Sequence, residues 1–141
     1  MVPRFRAWDK GTDLMNEVTV IDFESKEVYY HHWRYGHSQA INLKNIELLQ
    51  STGFKDKNDT EIFEGDIVNV HEFINVGGIE GYEEGEREMI GIVKYGCIFN
   101  SPIPEWYLEN SDDYIPFSYI GLHDGSFEVL GNIYENEDLL K

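Results

Sequence analysis

Ser51–Val70, STGFKDKNDTEIFEGDIVNV, decides the fold. A polar run, Lys55-Asp56-Lys57-Asn58-Asp59, sits between Gly53-Phe54 and Ile62-Phe63. Asn and Asp bond their own backbone and tolerate left-handed dihedrals, so Asn58-Asp59 is the expected turn. Leu48–Phe54 and Thr60–Phe63 are then the arms of a hairpin. Glu64-Gly65-Asp66 follows as a structural corner: Gly allows a positive φ, and Asp can accept from the amide two residues on. Ile67, Val68 and Val70 begin a β-branched strand beyond it. A strand that ends at a Gly-Asp corner and restarts in a new direction is how a small barrel changes sheet.

The rest of the chain reads mostly as short strands. Glu17–Phe23 and Val28–Tyr35 form a predicted hairpin about Glu24-Ser25-Lys26. Asn42–Asn45 reads as a turn and Glu47–Gln50 as a strand. Gly77–Glu88 reads as a long, mobile, acidic hairpin tip. Met89–Phe99 is a strand in which Gly91 and Gly96 suggest a bulge or bend. Glu105–Leu108 is another strand, and Ile115–Ile120 is a strand or a loop broken by Pro116. Phe127–Tyr134 closes the set with a bulge at Gly131. Asn136 can cap a short helix over Glu137–Leu140. The expected fold is all-β. Residues 1–50 would be an N-terminal β-hairpin region, and 51–141 an SH3-like small barrel of coiled, bent sheets with a short C-terminal helix.

Three stretches carry a family resemblance: FRAWDK near the start, LLQSTGFKDKNDTEIFEGDIV in the middle and EVLGNIYENEDLL at the end. In that order they resemble the YopX family, small proteins encoded by bacteriophages and prophages. The turn departs from the family's usual Asn-Gly with Asn58-Asp59, and the end departs from Asn-Pro-Glu with Asn136-Glu137-Asp138. The resemblance implies a mostly β fold with an SH3-like barrel. It implies no catalytic residues and no cofactor.

Composition narrows the functional classes. The formal charge is −16 over 141 residues. Residues 1–50 carry six Lys/Arg against seven Asp/Glu, and 51–141 carry five against twenty. Such an acidic surface repels phosphates, so nucleic acid is disfavoured as a partner of the C-terminal part, as are anionic membranes. No apolar window is long enough for a membrane span, and the start has no secretory pattern. Cys97, a lone cysteine, fits a reducing bacterial cytoplasm and reads as a buried strand residue.

Candidate chemistry is sparse. His31-His32-Trp33-Arg34-Tyr35-Gly36-His37 is the densest cluster. On a strand, His31, Trp33 and Tyr35 would share one face and His32 and Arg34 the other, which separates the imidazoles a metal site needs together. The same residues have the chemistry of a stacking platform for single-stranded nucleic acid, set against the overall charge. Gly77-Gly78-Ile79-Glu80-Gly81 lacks the Lys-Ser/Thr of a phosphate loop. His123, Asp124 and Ser126 are too close together to assemble a hydrolytic triad. Glu64 and Asp66 read as corner residues rather than paired catalytic carboxylates. No catalytic, metal or cofactor-binding residue is assigned.

The expected function is therefore a non-enzymatic interaction or oligomerisation module. Its candidate surface is Arg4, Arg6, Trp8, Tyr29, Trp33, Arg34 and Tyr35, residue types enriched at interface cores. The expected partners are a second copy or a host protein. The alternatives are a nucleic-acid-related factor, binding through this end or mimicking DNA with its acids, and a small hydrolase or metal enzyme.

Overall fold

A computed structural model of the chain describes residues 3–78, 81–111, 113–122 and 126–140, with the backbone alone for 72–78, 81–84 and 121–122. The chain divides into two compact units, Met1–Gly53 and Phe54–Lys141.

The first unit contains β1 (Phe5–Asp9), β2 (Leu14–Asp22), β3 (Glu27–Tyr30), β4 (Ile41–Asn42) and the start of β5 (Ile46–Lys55). They lie in the order β4-β3-β2-β1-β5, every neighbour antiparallel. Carboxylates shape both hairpin turns. Asp9 Oδ1 accepts from the Gly11 amide at 2.8 Å, and Asp22 Oδ1 accepts from Glu24 and Ser25 at 3.0 and 3.1 Å. The Ser25 amide is the main reason the Asp22 carboxyl lies below its ordinary range.

The core of this unit is Ala7, Val28, Tyr30 and Ile46, flanked by Val18, Ile21, Ile41, Leu43 and Leu48. Strict alternation would put Val18 and Ile21 on opposite faces. A register shift between Val18 and Val20 turns both inward. Burial, and next the charge of Asp9, pushes the Tyr30 hydroxyl up to about 12.

The hairpin expected over 17–35 forms, but β3 stops at Tyr30, and residues 33–35 are a turn rather than strand. The predicted turn near residues 42–45 is a 3₁₀ turn, Leu43–Asn45, capped by Asn42 Oδ1 accepting from the Lys44 amide.

The second unit begins at the end of β5. The Asn58-Asp59 turn is present, with Asp59 at φ 66°, and leads into β6 (Glu61–Phe63). Beyond the corner come β7 (Asp66–Gly78), β8 (Gly81–Gly96), β9 (Glu105–Glu109), β10 (Tyr114–Pro116), α1 (Phe117–Leu122) and β11 (Ser126–Asn132). The sheet order is β10-β9-β8-β7-β11, all antiparallel. Among the described residues this sheet is open, with β10 and β11 at its edges, so the coarse all-β architecture holds while strand pairing stops short of a closed barrel.

Ile62, Val68, Val70, Val93, Leu108, Ile115, Phe117 and Ile120 form its core. Each such side chain removed from water contributes roughly 1.5–3 kcal/mol before chain entropy is subtracted. The Ile115–Ile120 stretch, expected as strand or loop, divides at Pro116: Ile115 pairs with Leu108 in β10, and Phe117 and Ile120 on the helix turn face the same core. The three-residue spacing of Phe117 and Ile120 suits a helix face and not a strand.

Several sequence expectations change here. Gly77–Glu88 does not form a long loose tip: β7 and β8 remain paired as far as Gly78 and Gly81, and only 79 and 80 lie outside the described residues. Gly91 marks no bulge, because pairing runs unbroken through it. A Cβ there would come to 3.2 Å from Glu109 O and Leu108 Cβ, so the glycine serves close strand packing. The Gly131 register shift is present, between Val129 and Gly131. Asn136 turns its side-chain oxygen back to the Asn132 amide, and Glu137–Leu140 is a 3₁₀ turn rather than an α-helix. Cys97 is exposed, since β8 ends at Gly96.

The corner is held from two sides. Gly65 sits at φ 83°; its amide donates to Val93 O at 2.9 Å and its carbonyl accepts from Ile133 N at 3.0 Å. Asp66, 1% exposed, accepts from the Phe63 amide at 2.8 Å, three residues back rather than two residues on.

The polar turn closes off an edge. Asp56 Oδ2 accepts from Val129 N at 2.9 Å, while Oδ1 accepts from Asn58 N and Thr60 N at 2.8 Å each. Lys57 N donates to Phe127 O, and Lys57 Nζ meets Glu128 at 3.1 Å. Backbone groups of β11 that would otherwise template further strand pairing are thereby occupied. Burial acts to raise the Asp56 pKa, but the amides of Val129, Thr60 and Asn58 together outweigh it and hold the carboxyl below its ordinary value.

Two predictions follow from these contacts. Gly65→Val should lower stability by about 1–3 kcal/mol, because a β-branched residue is strained at that positive φ; urea denaturation measures it. Asp56→Ala should cost about 1–3 kcal/mol at neutral pH through the unpaired amides it leaves. Because the folded-state pKa is depressed, Asp56 contributes fully above its unfolded value near 4 and loses that contribution as pH falls through the folded value. The gap between wild type and Asp56→Ala in urea midpoint should therefore be widest at pH 7 and narrow below pH 4. A gap independent of pH would refute the carboxylate's role.

Candidate functional site

The first unit presents a face opposite its core. Cross-strand partners point to the same side of a sheet. Arg6 pairs with Glu17, Trp8 with Met15, and Tyr29 with Val20, all on the side away from Ala7 and Val28. Arg6, Trp8 and Tyr29 are thus brought to one face. Arg4 precedes β1 and its guanidinium meets Glu17 Oε1 at 3.1 Å. Both side chains of that pair are more than half exposed, so it adds well under about 1 kcal/mol.

Trp33, Arg34 and Tyr35 lie apart from the strands, in the loop from β3 to β4. Ser38 clamps the base of this loop: its amide donates to Tyr30 O at 2.7 Å, and its Oγ accepts from Tyr30 N at 2.9 Å. Inside the clamp, Gly36 N donates to His32 O at 2.9 Å, with Gly36 at φ 82°. His32 organises the interior. Its Nδ1 accepts from the amides of Arg34 and Tyr35 at 3.1 and 3.3 Å. An imidazole accepting at Nδ1 carries its proton on Nε2.

Those bonds set the His32 ring beside both neighbours. Trp33 and Tyr35 both stack near it, with centroids 5.9 and 5.1 Å away and ring planes inclined by 20° and 23°. The Arg34 guanidinium carbon lies 5.6 Å from the Tyr35 ring centre. His37 folds back so that its ring meets Tyr29 edge-on at 5.7 Å. The alternation expected of a strand, with His31, Trp33 and Tyr35 opposite His32 and Arg34, is replaced by a stack because the residues lie in a turn.

Trp33 and Tyr35 are nonetheless 83% and 70% exposed. Rings of this size normally bury most of their surface. A cleft of about 630 Å³ runs beside the stack, lined in part by His32, Tyr35, His37, Ser38, Gln39 and Ile41.

The other chemical candidates separate. Among the described residues no three His, Cys, Asp or Glu side chains converge as a metal site. Asp66 is committed to the Phe63 amide, which leaves the Glu64–Asp66 pair in a corner. His123 and Asp124 lie outside the described residues, as do Ile79 and Glu80 of the glycine run. Sequence reading overlooked Ser38 and the role of His32 as the ring on which Trp33 and Tyr35 each stack. The signal was present in Gly36, which marks a turn inside an aromatic run.

The chain is thus mostly β, in two units of antiparallel strands. The chain belongs to the YopX family: the family model described as YopX protein matches residues 4–141. It is similar to the crystal structure of protein EF1440 from Enterococcus faecalis, at 26% identity and a TM-score of 0.57, over 100% of this chain and 99% of that one. No curated protein matches it.

Removing the His32 ring should release both aromatic neighbours. His32→Ala should erase most of the near-ultraviolet circular dichroism that Trp33 and Tyr35 contribute, leave the far-ultraviolet spectrum intact, and cost no more than about 1–2 kcal/mol in stability. An unchanged near-ultraviolet spectrum would show that the rings do not depend on His32.

Proposed function

We propose that this protein is a phage-type accessory factor that works by binding rather than by catalysis, with its contact surface on the Met1–Gly53 unit. The observation that carries the reading is the stacking of Trp33 and Tyr35 on His32, in a loop clamped by Ser38, while both rings stay largely exposed. Aromatic side chains fixed in place before contact lose little entropy on binding, which suits them to an interface core. The charge distribution supports the same unit. Residues 51–141 hold twenty acids against five cations, and surfaces of like charge resist approach. A second copy meeting through residues 1–50 is the first partner to expect, and a host protein the next.

The SH3-like barrel belongs to this reading of the second unit. Five antiparallel strands on one apolar core, with the β11 edge occupied by the Asp56 turn, support it.

Sedimentation velocity over a wide range of concentration tests the proposal. The wild type should form a dimer or larger species. Trp33→Ala and Tyr35→Ala should shift it towards monomer, each by about tenfold or more in dissociation constant, with unchanged far-ultraviolet circular dichroism. A monomer at every concentration, together with no host protein recovered in a Trp33-dependent manner, would sink the reading.

A further inference from the structure

From the cleft beside the aromatic loop we infer a binding site for a nucleotide, free or at the end of a single strand. This rests on the loop being an interaction surface and names what occupies the cleft within it.

Three observations converge there. The first is charge. The chain has 27 acidic residues, yet none falls between Val28 and Ile46, the stretch that supplies the loop, β4 and all of β3 except its first residue, Glu27. Over the same residues stand Arg34, Lys44 and three histidines. Glu17 borders the loop through its carbonyl, which receives the His31 amide, and its carboxylate is engaged by Arg4; Glu27 pairs with Asn42 at the ends of β3 and β4 away from the loop. Electrostatic screening confines charge effects to about 8 Å in physiological salt, so this local balance governs the cleft more than the total of −16 does.

The second is shape. The Trp33 and Tyr35 rings each lie within 23° of parallel to the His32 ring, and Tyr35 is 70% exposed. A flat ring system can extend that stack. An acidic protein side chain would satisfy the charge and leave the planes unused; a nucleotide, with its base and phosphate, uses both. The third is size and polarity. The cleft, about 630 Å³, falls in the range of small-ligand sites. Ile41 lines it on the apolar side, while Gln39 supplies both an amide donor and a carbonyl acceptor for a base edge. Arg34, beside Tyr35, is placed to pair with a phosphate in the forked geometry that guanidinium favours. His37 adds a second donor on the cleft wall.

Binding rests on one cation and one or two stacked rings, so it is weak and mildly salt-dependent. Log affinity should fall with log salt at about −0.7 per phosphate neutralised.

The test is a fluorescence titration of the full chain with thymidine monophosphate, a short single-stranded oligothymidylate and the matching duplex. Trp33→Phe assigns the signal against Trp8 and Trp106. The expected result is saturable quenching by the single strand, by the mononucleotide, or by both, with the duplex inert. Tyr35→Ala should weaken binding roughly 5- to 150-fold, the range for one base on one ring, and Tyr35→Phe should retain it. Arg34→Ala should flatten the salt dependence, while Arg34→Lys keeps it. Absence of saturable binding in a chain whose near-ultraviolet spectrum shows the stack intact overturns the inference, as does binding indifferent to Tyr35 and Arg34. Trp33-dependent self-association without any nucleotide effect overturns it too, yet leaves the interaction-module reading standing. Nucleotide binding by a strict monomer supports this inference and removes the second copy as partner.

Discussion

The second unit depends on one carboxylate. Asp56 is 8% exposed and sits in a turn that a sequence reader takes for solvent-facing. Its two oxygens accept from three amides, two in its own turn and one seventy-three residues away on β11. The turn can form without β11, but the edge of β11 cannot be occupied without the turn. A long-range bond of this kind fixes a local structure and a sheet boundary together. Removing it would leave polar backbone groups without their protein partner at the rim of a packed core, where the cost of an unmade bond exceeds the gain of a made one.

The same logic operates on a smaller scale in the first unit. Asp9, Asp22, Asn42 and Ser38 each give a side-chain oxygen to amides that strand pairing leaves over. β3 and β4 are short, four and two residues long, so turns hold a large share of the backbone bonds around them. Side-chain acceptors in turns are how such a chain satisfies its amides without longer strands. His32 belongs to this set: its Nδ1 satisfies two loop amides, and the ring so fixed becomes the support on which Trp33 and Tyr35 stack. A bond that solves a backbone problem thus also creates the exposed aromatic surface.

The division of roles between residues follows from this. Apolar side chains at alternating positions are absorbed into two separate cores. Val20 on the outer face of the first unit, and Trp33 and Tyr35 in its loop, stay exposed. Exposed aromatic surface held by hydrogen bonds is a feature that folding alone does not require, which is why the functional reading rests on it rather than on any acid or histidine elsewhere.

The sequence by itself determined the all-β class, the family, the Asn58-Asp59 turn and the Gly65 corner. These are local matters: β-branched runs, a residue that tolerates positive φ, and a glycine where only glycine is unstrained. The shift at Gly131 was legible as well, since a glycine inside a strand run suggests a bulge. What the tertiary structure decided is where local preference is silent or ambiguous. Ile115–Ile120 carries no clear period, and whether it is strand or helix was settled by Phe117 and Ile120 both reaching the core shared with Leu108. Val28–Tyr35 reads as one strand, yet β3 ends at Tyr30 because Ser38 takes over its backbone groups. Glycines over 77–85 suggested a loose tip, but pairing between β7 and β8 imposed strand geometry on them. In each case the deciding partner lies elsewhere in the sequence, and its energy enters only after the chain has brought the two together.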